Sequence, residues 1–78
     1  MVVYPNPSSG HLAVEVEEGT SMSSNIEMYD LMGRKVYQAP QTGVNTDIDI
    51  SGQADGLYIL VLRNGGKIIY RKRILLVR

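Results

Sequence analysis

Apolar and polar residues alternate along several short segments of the chain. Residues 11–17 read His-Leu-Ala-Val-Glu-Val-Glu, and residues 45–50 read Asn-Thr-Asp-Ile-Asp-Ile. A period of two predicts strands with one face in the core and the other in water. Residues 57–62, Leu-Tyr-Ile-Leu-Val-Leu, are apolar on both faces, which predicts a central strand.

Clusters of Gly, Pro, Asn, Asp and Ser divide the chain at regular intervals, as is typical of all-β domains. We predict no helix of ten residues or more, because these residues interrupt nearly every candidate window. Short strands with tight turns predict an immunoglobulin-like β-sandwich, with a small barrel as the alternative. About seven antiparallel strands in two sheets are expected, at roughly 1–4, 11–18, 25–31, 34–39, 46–50, 57–63 and 67–77.

Two of the turns can be predicted in more detail. In Asp30-Leu31-Met32-Gly33, the glycine suits a position of positive φ, where a Cβ atom would clash. The Asp30 carboxylate can accept hydrogen bonds from the backbone that follows it, and Arg34 can pair with it across the hairpin. Asn64-Gly65-Gly66 predicts the tip of a second hairpin.

Composition limits the domain and its compartment. The 78 residues are enough for one domain, 1–78, with no room for a second, and we expect it to be the C-terminal part of a longer secreted protein. The chain has no Phe, Trp or Cys, so its core must be aliphatic and it has no disulfide or thiolate. No apolar run approaches the roughly 18–20 residues of a membrane span.

The two ends of the chain carry opposite charge. Residues 1–56 hold eight acids and two bases, whereas residues 57–78 hold six bases and no acid. The net charge of zero argues against nucleic acid as the main partner. Two interpretations stay open: an acidic strand attracts a basic one inside the fold, or the basic, apolar last strand is recognised by another molecule. Recognition would use strand addition or an acidic receptor groove, and the same apolar edge allows a homodimer.

Residues suited to catalysis or metal binding are scarce. His11 is the only histidine, and its phase in the strand is opposite to that of Leu12, so a solvent-facing side chain is favoured over a general base. Asp47 and Asp49 share one strand face, but calcium needs six to eight oxygens, and a solvated face is favoured. We therefore expect no enzyme, no metal and no cofactor. The five tyrosines leave an adhesion or carbohydrate-binding module as the alternative function.

The motifs occur in an order that resembles a known family. Residues 4–10 read Tyr-Pro-Asn-Pro-Ser-Ser-Gly, residues 26–36 read Ile-Glu-Met-Tyr-Asp-Leu-Met-Gly-Arg-Lys-Val, and residues 54–61 read Ala-Asp-Gly-Leu-Tyr-Ile-Leu-Val. A basic final strand follows. In this order and spacing they resemble the C-terminal sorting domain of type IX secretion (Por secretion system) substrates.

The resemblance implies a function that cannot be deduced from the residues alone. Such domains are immunoglobulin-like and direct an attached N-terminal cargo from the periplasm of a Gram-negative bacterium through the outer-membrane translocon. The cargo reaches the cell surface or the medium, and in many cases a sortase-like cysteine protease removes the domain. The domain is then a non-enzymatic address that is recognised by the secretion machinery.

The resemblance also suggests roles for individual residues. We expect one set of motif residues mainly to maintain the fold: Pro5, Asn6, Pro7, Gly10, Tyr29, Asp30, Gly33, Arg34, Gly56 and Tyr58. Lys72 or Arg73 takes the place of the family's basic residue near the end, and Ile74 to Val77 match its apolar close. We expect contact with the translocon to come from the last strand, which comprises Arg71, Lys72, Arg73, Ile74, Leu75, Leu76, Val77 and Arg78.

Overall fold

The described part of the molecule is built from strands. The computed structural model describes residues 1–17 and 24–78, and these residues contain no helix. The seven strands are β1 (Val2–Tyr4), β2 (His11–Glu15), β3 (Asn25–Asp30), β4 (Lys35–Pro40), β5 (Asn45–Asp49), β6 (Gly56–Asn64) and β7 (Lys67–Leu76). The predicted strand boundaries agree with these to within about two residues, except that β2 ends at Glu15; the predicted end of this strand, Glu18, lies outside the described residues.

The strands form two antiparallel sheets. One sheet has the order β1-β2-β5, and the other has the order β4-β3-β6-β7. The prediction of an all-β fold with two sheets is confirmed, and the arrangement is consistent with an immunoglobulin-like sandwich. Because β6 lies between β3 and β7, the prediction that residues 57–62 form a central strand is also confirmed. In the four-stranded sheet, β7 is an edge strand.

Alternation along the strands places the apolar side chains in one core. In β2 and β5 the side chains of Leu12, Val14 and Ile48 are almost fully buried, while Asp47 and Asp49 on the opposite face of β5 are exposed. Full burial of one aliphatic side chain contributes about 1.5–3 kcal/mol. The larger sheet contributes a matching set of buried residues, which are Ile26, Met28, Tyr58, Leu60, Leu62, Ile74 and Leu76.

The β3–β4 turn has the geometry that the sequence predicts. Gly33 has a φ of 86°. The Asp30 carboxylate accepts hydrogen bonds from the backbone N–H groups of Met32, at 2.9 Å, and Arg34, at 3.0 Å. The Arg34 Nε also donates to it at 2.8 Å. These contacts, the backbone bond from Arg34 above all, lower the pKa of Asp30. The ion pair between Asp30 and Arg34 therefore belongs to the turn.

The β6–β7 turn is equally close to its prediction. Gly65 and Gly66 have φ values of 58° and 83°, in the left-handed region that favours glycine. Asn64 pairs with Lys67 across the turn. The register shifts between Leu62 and Arg63, so the hairpin contains a bulge close to its tip. The long hairpin carries β7 along the edge of the sheet.

Candidate protein-interaction surface

The outer edge of β7 is covered along its second half. The Asn6 side-chain amide donates to the carbonyl of Arg73 at 3.0 Å and accepts from the N–H of Leu75 at 3.1 Å. Two residues later, the N–H of Ser8 donates to the carbonyl of Leu75, and the N–H of Val77 donates to the carbonyl of Ser8, both at 2.8 Å. Residues 5–9 therefore act as a short substitute strand beside β7.

Arg78 is fixed just beyond the end of β7. Its Nη1 lies 2.8 Å from Oδ1 of Asp55, and its backbone N–H donates to the same carboxylate. Its Nη2 donates to the carbonyls of Ser51 and Gln53. With Asn6 and Ser8 on one side and Asp55 at the end, the last residues of the chain are held against the body of the domain.

The first half of β7 lacks this cover except at its end, where Asn6 donates to the carbonyl of Arg73. Every residue from Lys67 to Arg73 is exposed. Within the described ranges, 1–17 and 24–78, four of its cations take part in no ion pair: Lys67, Arg71, Lys72 and Arg73. We call residues 67–73 the open half of β7. We call residues 74–77, which are the last three residues of β7 and Val77 just beyond it, the covered half.

A groove lies where the open half meets the covered half. It has a volume of about 650 Å³ and is lined by Asn6, Ile59, Arg71, Lys72 and Arg73. Ile59 is the cross-strand partner of Arg73, so an apolar residue lies opposite a basic one. A second hollow, of about 480 Å³, is lined by residues 68–71. Both lie on the basic strand.

Part of the predicted attraction between acidic and basic regions is present inside the sheet. Glu27 of β3 is only 5% exposed, and its Oε1 accepts from the Tyr29 hydroxyl at 2.7 Å and from Nε of Arg63 at 2.9 Å. Lys35 Nζ lies 3.5 Å from the other carboxylate oxygen. The hydrogen bond from Tyr29, followed by the contacts with Arg63 and Lys35, lowers the pKa of Glu27 despite its burial.

Ion pairs thus neutralise only a part of the basic region. Arg63 pairs with Glu27, and Arg78 pairs with Asp55. The remaining four cations of residues 57–78 belong to the open half of β7. The two interpretations of the charge split are therefore compatible: attraction occurs within the fold, and positive charge is still left on its surface.

The residues that the sequence suggests for translocon contact fall into three groups. Arg71, Lys72 and Arg73 lie together on the open half of β7 and line the groove. Leu75 and Val77 are partly exposed in the covered half. The other three are engaged by the domain itself, since Ile74 and Leu76 are fully buried and Arg78 is paired with Asp55.

Most of the family-motif residues support turns or the cover of β7. Gly10 has a φ of 137°, and a Cβ atom there would lie 3.0 Å from the Cβ of Ser51. Gly56 also has positive φ, at 152°. The Tyr58 hydroxyl donates to the carbonyl of Ala54, in the turn that precedes β6. Asn6 has a role that the sequence does not indicate. Its side chain forms hydrogen bonds with Arg73 and Leu75 of β7, which lie 67 and 69 residues further along the chain.

The candidates for chemistry are dispersed. His11 and Asp49 are cross-strand partners with both side chains largely exposed, and Nε2 of His11 lies 3.7 Å from Oδ2 of Asp49. Asp47 lies on the same exposed face of β5. Among residues 1–17 and 24–78, no three His, Cys, Asp or Glu side chains are grouped so that they could hold a metal ion.

The tyrosines are also dispersed. Tyr58 is buried, and the Tyr29 hydroxyl is bonded to Glu27. The two that are more than a third exposed, Tyr4 and Tyr70, lie in different sheets. This distribution gives no support to a shared sugar-binding platform.

In the part of the chain that the structure describes, there is no helix with the length and apolar character needed to cross a membrane.

Comparison with known proteins agrees with the order of motifs. A family model described as the secretion system C-terminal sorting domain matches residues 2–76, which is nearly the whole chain. No curated protein matches the chain significantly. The family model covers all seven strands, from Val2 at the start of β1 to Leu76 at the end of β7. The chain therefore belongs to the family of secretion system C-terminal sorting domains, the sorting signals of type IX secretion.

Proposed function

We propose that this domain is a non-enzymatic address that takes an attached N-terminal cargo through the outer-membrane type IX translocon. The family match over residues 2–76 carries the proposal, because it assigns the chain to the sorting signals of secreted or cell-surface proteins. The cargo crosses from the periplasm, and a sortase-like protease then removes the domain. The domain has the role of a ligand for the machinery and a substrate for the protease.

The contact with the translocon is made by the last strand. Its exposed members, Arg71, Lys72 and Arg73, are available to a partner without any change in the fold. Leu75 and Val77 add partly exposed apolar surface beside them. The buried members, Ile74 and Leu76, contribute by holding β7 in the sheet, because each is fully enclosed by the core.

A reporter fusion tests the sorting role. Residues 2–78 are joined to the C-terminus of a periplasmic reporter in a bacterium that has type IX machinery. We expect the reporter to appear at the cell surface or in the medium, and to stay in the periplasm of a strain without the translocon. A reporter that stays in the periplasm of both strains would contradict the proposal. The size of the exported reporter shows whether the domain is removed.

Deletion of residues 74–78 is a weaker test, although we expect it to abolish export. The deletion removes Ile74 and Leu76 from the core, and so it unfolds part of the domain as well as removing a contact surface. Substitutions at exposed positions of the open half separate these two effects, because they leave the core unchanged.

Self-association through β7 stays a prediction. The exposed apolar side chains of this strand include Ile68 and Ile69, which a second copy could cover. Sedimentation of the isolated chain over a range of concentrations tests it. A monomer at all concentrations would contradict the predicted homodimer.

A further inference from the structure

The unpaired backbone of β7 begins where the cover of Asn6 stops. The carbonyl of Arg73 and both backbone groups of Leu75 face the covering segment. Backbone groups of alternate residues face the same side of a strand. The N–H of Arg73 and both backbone groups of Arg71 therefore face outward, and no described residue bonds to them. This is a sheet edge that can accept another strand.

The side chains around these groups have one sign of charge. Arg71 and Arg73 lie on the face of the sheet that carries their cross-strand partners, Val61 and Ile59. Lys72 projects from the opposite face. All three line the 650 Å³ groove together with Asn6, and none has an ion pair within the described residues. An added strand would thus meet cations on both of its faces.

From this combination we propose that the edge at Arg71–Arg73 binds a short, extended, acidic segment of a partner protein by strand addition. The segment pairs with the N–H and carbonyl of Arg71 and with the N–H of Arg73, because the carbonyl of Arg73 is already bonded to Asn6. Its alternate side chains, which lie on one face of the segment, are carboxylates that meet Arg71 and Arg73. The inference rests on the proposed function because it takes the partner to be a component of the translocon. It then specifies that the part of this component that binds β7 is an acidic strand.

A second copy of the chain fits this edge less well than an acidic segment does. If two β7 edges paired antiparallel about Arg71, each Arg71 would face its own counterpart. The cations at 72 and 73 of both copies would lie close by. Like charges directly opposite each other destabilise a strand pair. The bulge near Leu62 also limits the regular part of the edge, so the segment that binds is short.

The position of Asn6 supports recognition at this place. Its amide already forms the two hydrogen bonds that a neighbouring strand would form with Arg73 and Leu75. An incoming segment can therefore begin where Asn6 ends, without displacing the cover. The groove at this junction gives room for its first side chain.

Three synthetic peptides test the inference on the isotope-labelled chain. The first alternates Glu with Thr and Val over about six residues, the usual length of a short strand. The second replaces each Glu with Gln. The third keeps Glu but carries N-methyl groups on the amides of one edge. We expect the first peptide to shift the amide resonances of Arg71 and Arg73 and to slow their hydrogen exchange. The other two peptides should bind more weakly than the first, by up to roughly tenfold.

Two matched variants locate the site. Arg71→Glu and Lys67→Glu each reverse one exposed cation of β7, but only Arg71 lines the groove. We expect Arg71→Glu to lower the affinity for the Glu peptide by several-fold or more. Lys67→Glu should lower this affinity less. Equal effects of the two variants, or undiminished binding of the N-methylated peptide, would show general attraction to charge and overturn the inference. Absence of binding, or a dimer that occupies the edge, would overturn it too.

The reporter fusion keeps this inference separate from the sorting role. Export of the reporter by a chain that binds no acidic strand would overturn the inference and leave the sorting role intact. Strand addition by a chain that exports no reporter would remove the link to sorting, while the peptide-binding edge would stand.

Discussion

Glu27→Gln is the substitution for which the structure gives the clearest expectation. The Glu27 carboxylate is almost fully buried on the outer face of the four-stranded sheet, where it accepts hydrogen bonds from Tyr29 and Arg63. Glutamine has nearly the same shape and keeps an oxygen for both donors, but its charge is lost. Its NH₂ group would also face the ammonium group of Lys35. The change therefore removes charge assistance without leaving a cavity.

The expected loss of stability follows from these two hydrogen bonds. A bond to a charged group contributes about 1.5–3 kcal/mol and a neutral one about 0.5–1.5 kcal/mol, so the bond from Tyr29 loses about 1 kcal/mol. Arg63 stays charged, and the loss of its ion pair with Glu27 adds about 1 kcal/mol, which gives about 2 kcal/mol in total. In a domain of this size, that lowers the melting temperature by roughly 8–16 °C. Thermal unfolding followed by circular dichroism at neutral pH measures the change. Glu15→Gln is the matched control, since Glu15 is exposed, and it should change the free energy of unfolding by less than about 0.5 kcal/mol.

The pH dependence of the Glu27→Gln effect has a definite sign. Because the pKa of Glu27 in the folded state lies below its ordinary value of 4.5, the carboxylate stabilises the fold above that pH. This contribution disappears as the pH falls through the lowered pKa. The difference in stability between wild type and Glu27→Gln should thus be largest near neutral pH and shrink as the pH falls below 4.5. Equal stability of the two at neutral pH, or a difference that grows in acid, would refute this reasoning.

Three further substitutions test other parts of the fold by the same unfolding measurement. Gly10→Ala should lose about 1–3 kcal/mol, because it adds strain at positive φ and a close contact with Ser51; an unchanged melting temperature would contradict this. Asn6→Ala should lose about 1–2 kcal/mol and speed exchange of the Leu75 amide proton, and unchanged exchange would refute the cover of β7. Tyr58→Phe should lose about 1 kcal/mol with its hydroxyl's hydrogen bond, and a neutral effect would argue against that bond.

Local patterns were enough to predict the strands and turns. The period of two in β2 and β5 places Leu12 and Ile48 in the core, and the structure has them there. Gly33 and Gly65 mark turns because only glycine enters the left-handed region easily. These features depend on residues within a few positions of one another. For this reason they can be deduced before the strands are assembled into sheets.

Features that depend on strand assembly were not predicted. Strand periodicity places Glu27 on the outer face, where water would be expected, but neighbours from β4 and β6 enclose it. The same holds for Asn6, which a local reading assigns to a loop and which instead covers the edge of β7. The sequence pattern also predicts that residues 71–78 belong to a single basic, apolar strand. Only the position of the covering segment divides it into an open half and a covered half.

The central claim is that the sorting machinery recognises Arg71, Lys72 and Arg73, the exposed cations of β7 that line the groove. The most direct measurement is the fraction of a reporter that reaches the cell surface when fused to the wild-type domain, Arg71→Glu or Lys67→Glu. Both variants keep the core, and circular dichroism verifies that both remain folded. We predict that Arg71→Glu keeps most of the reporter inside the cell, whereas Lys67→Glu exports it nearly as well as wild type. Surface display of Arg71→Glu at the level of Lys67→Glu would contradict the claim.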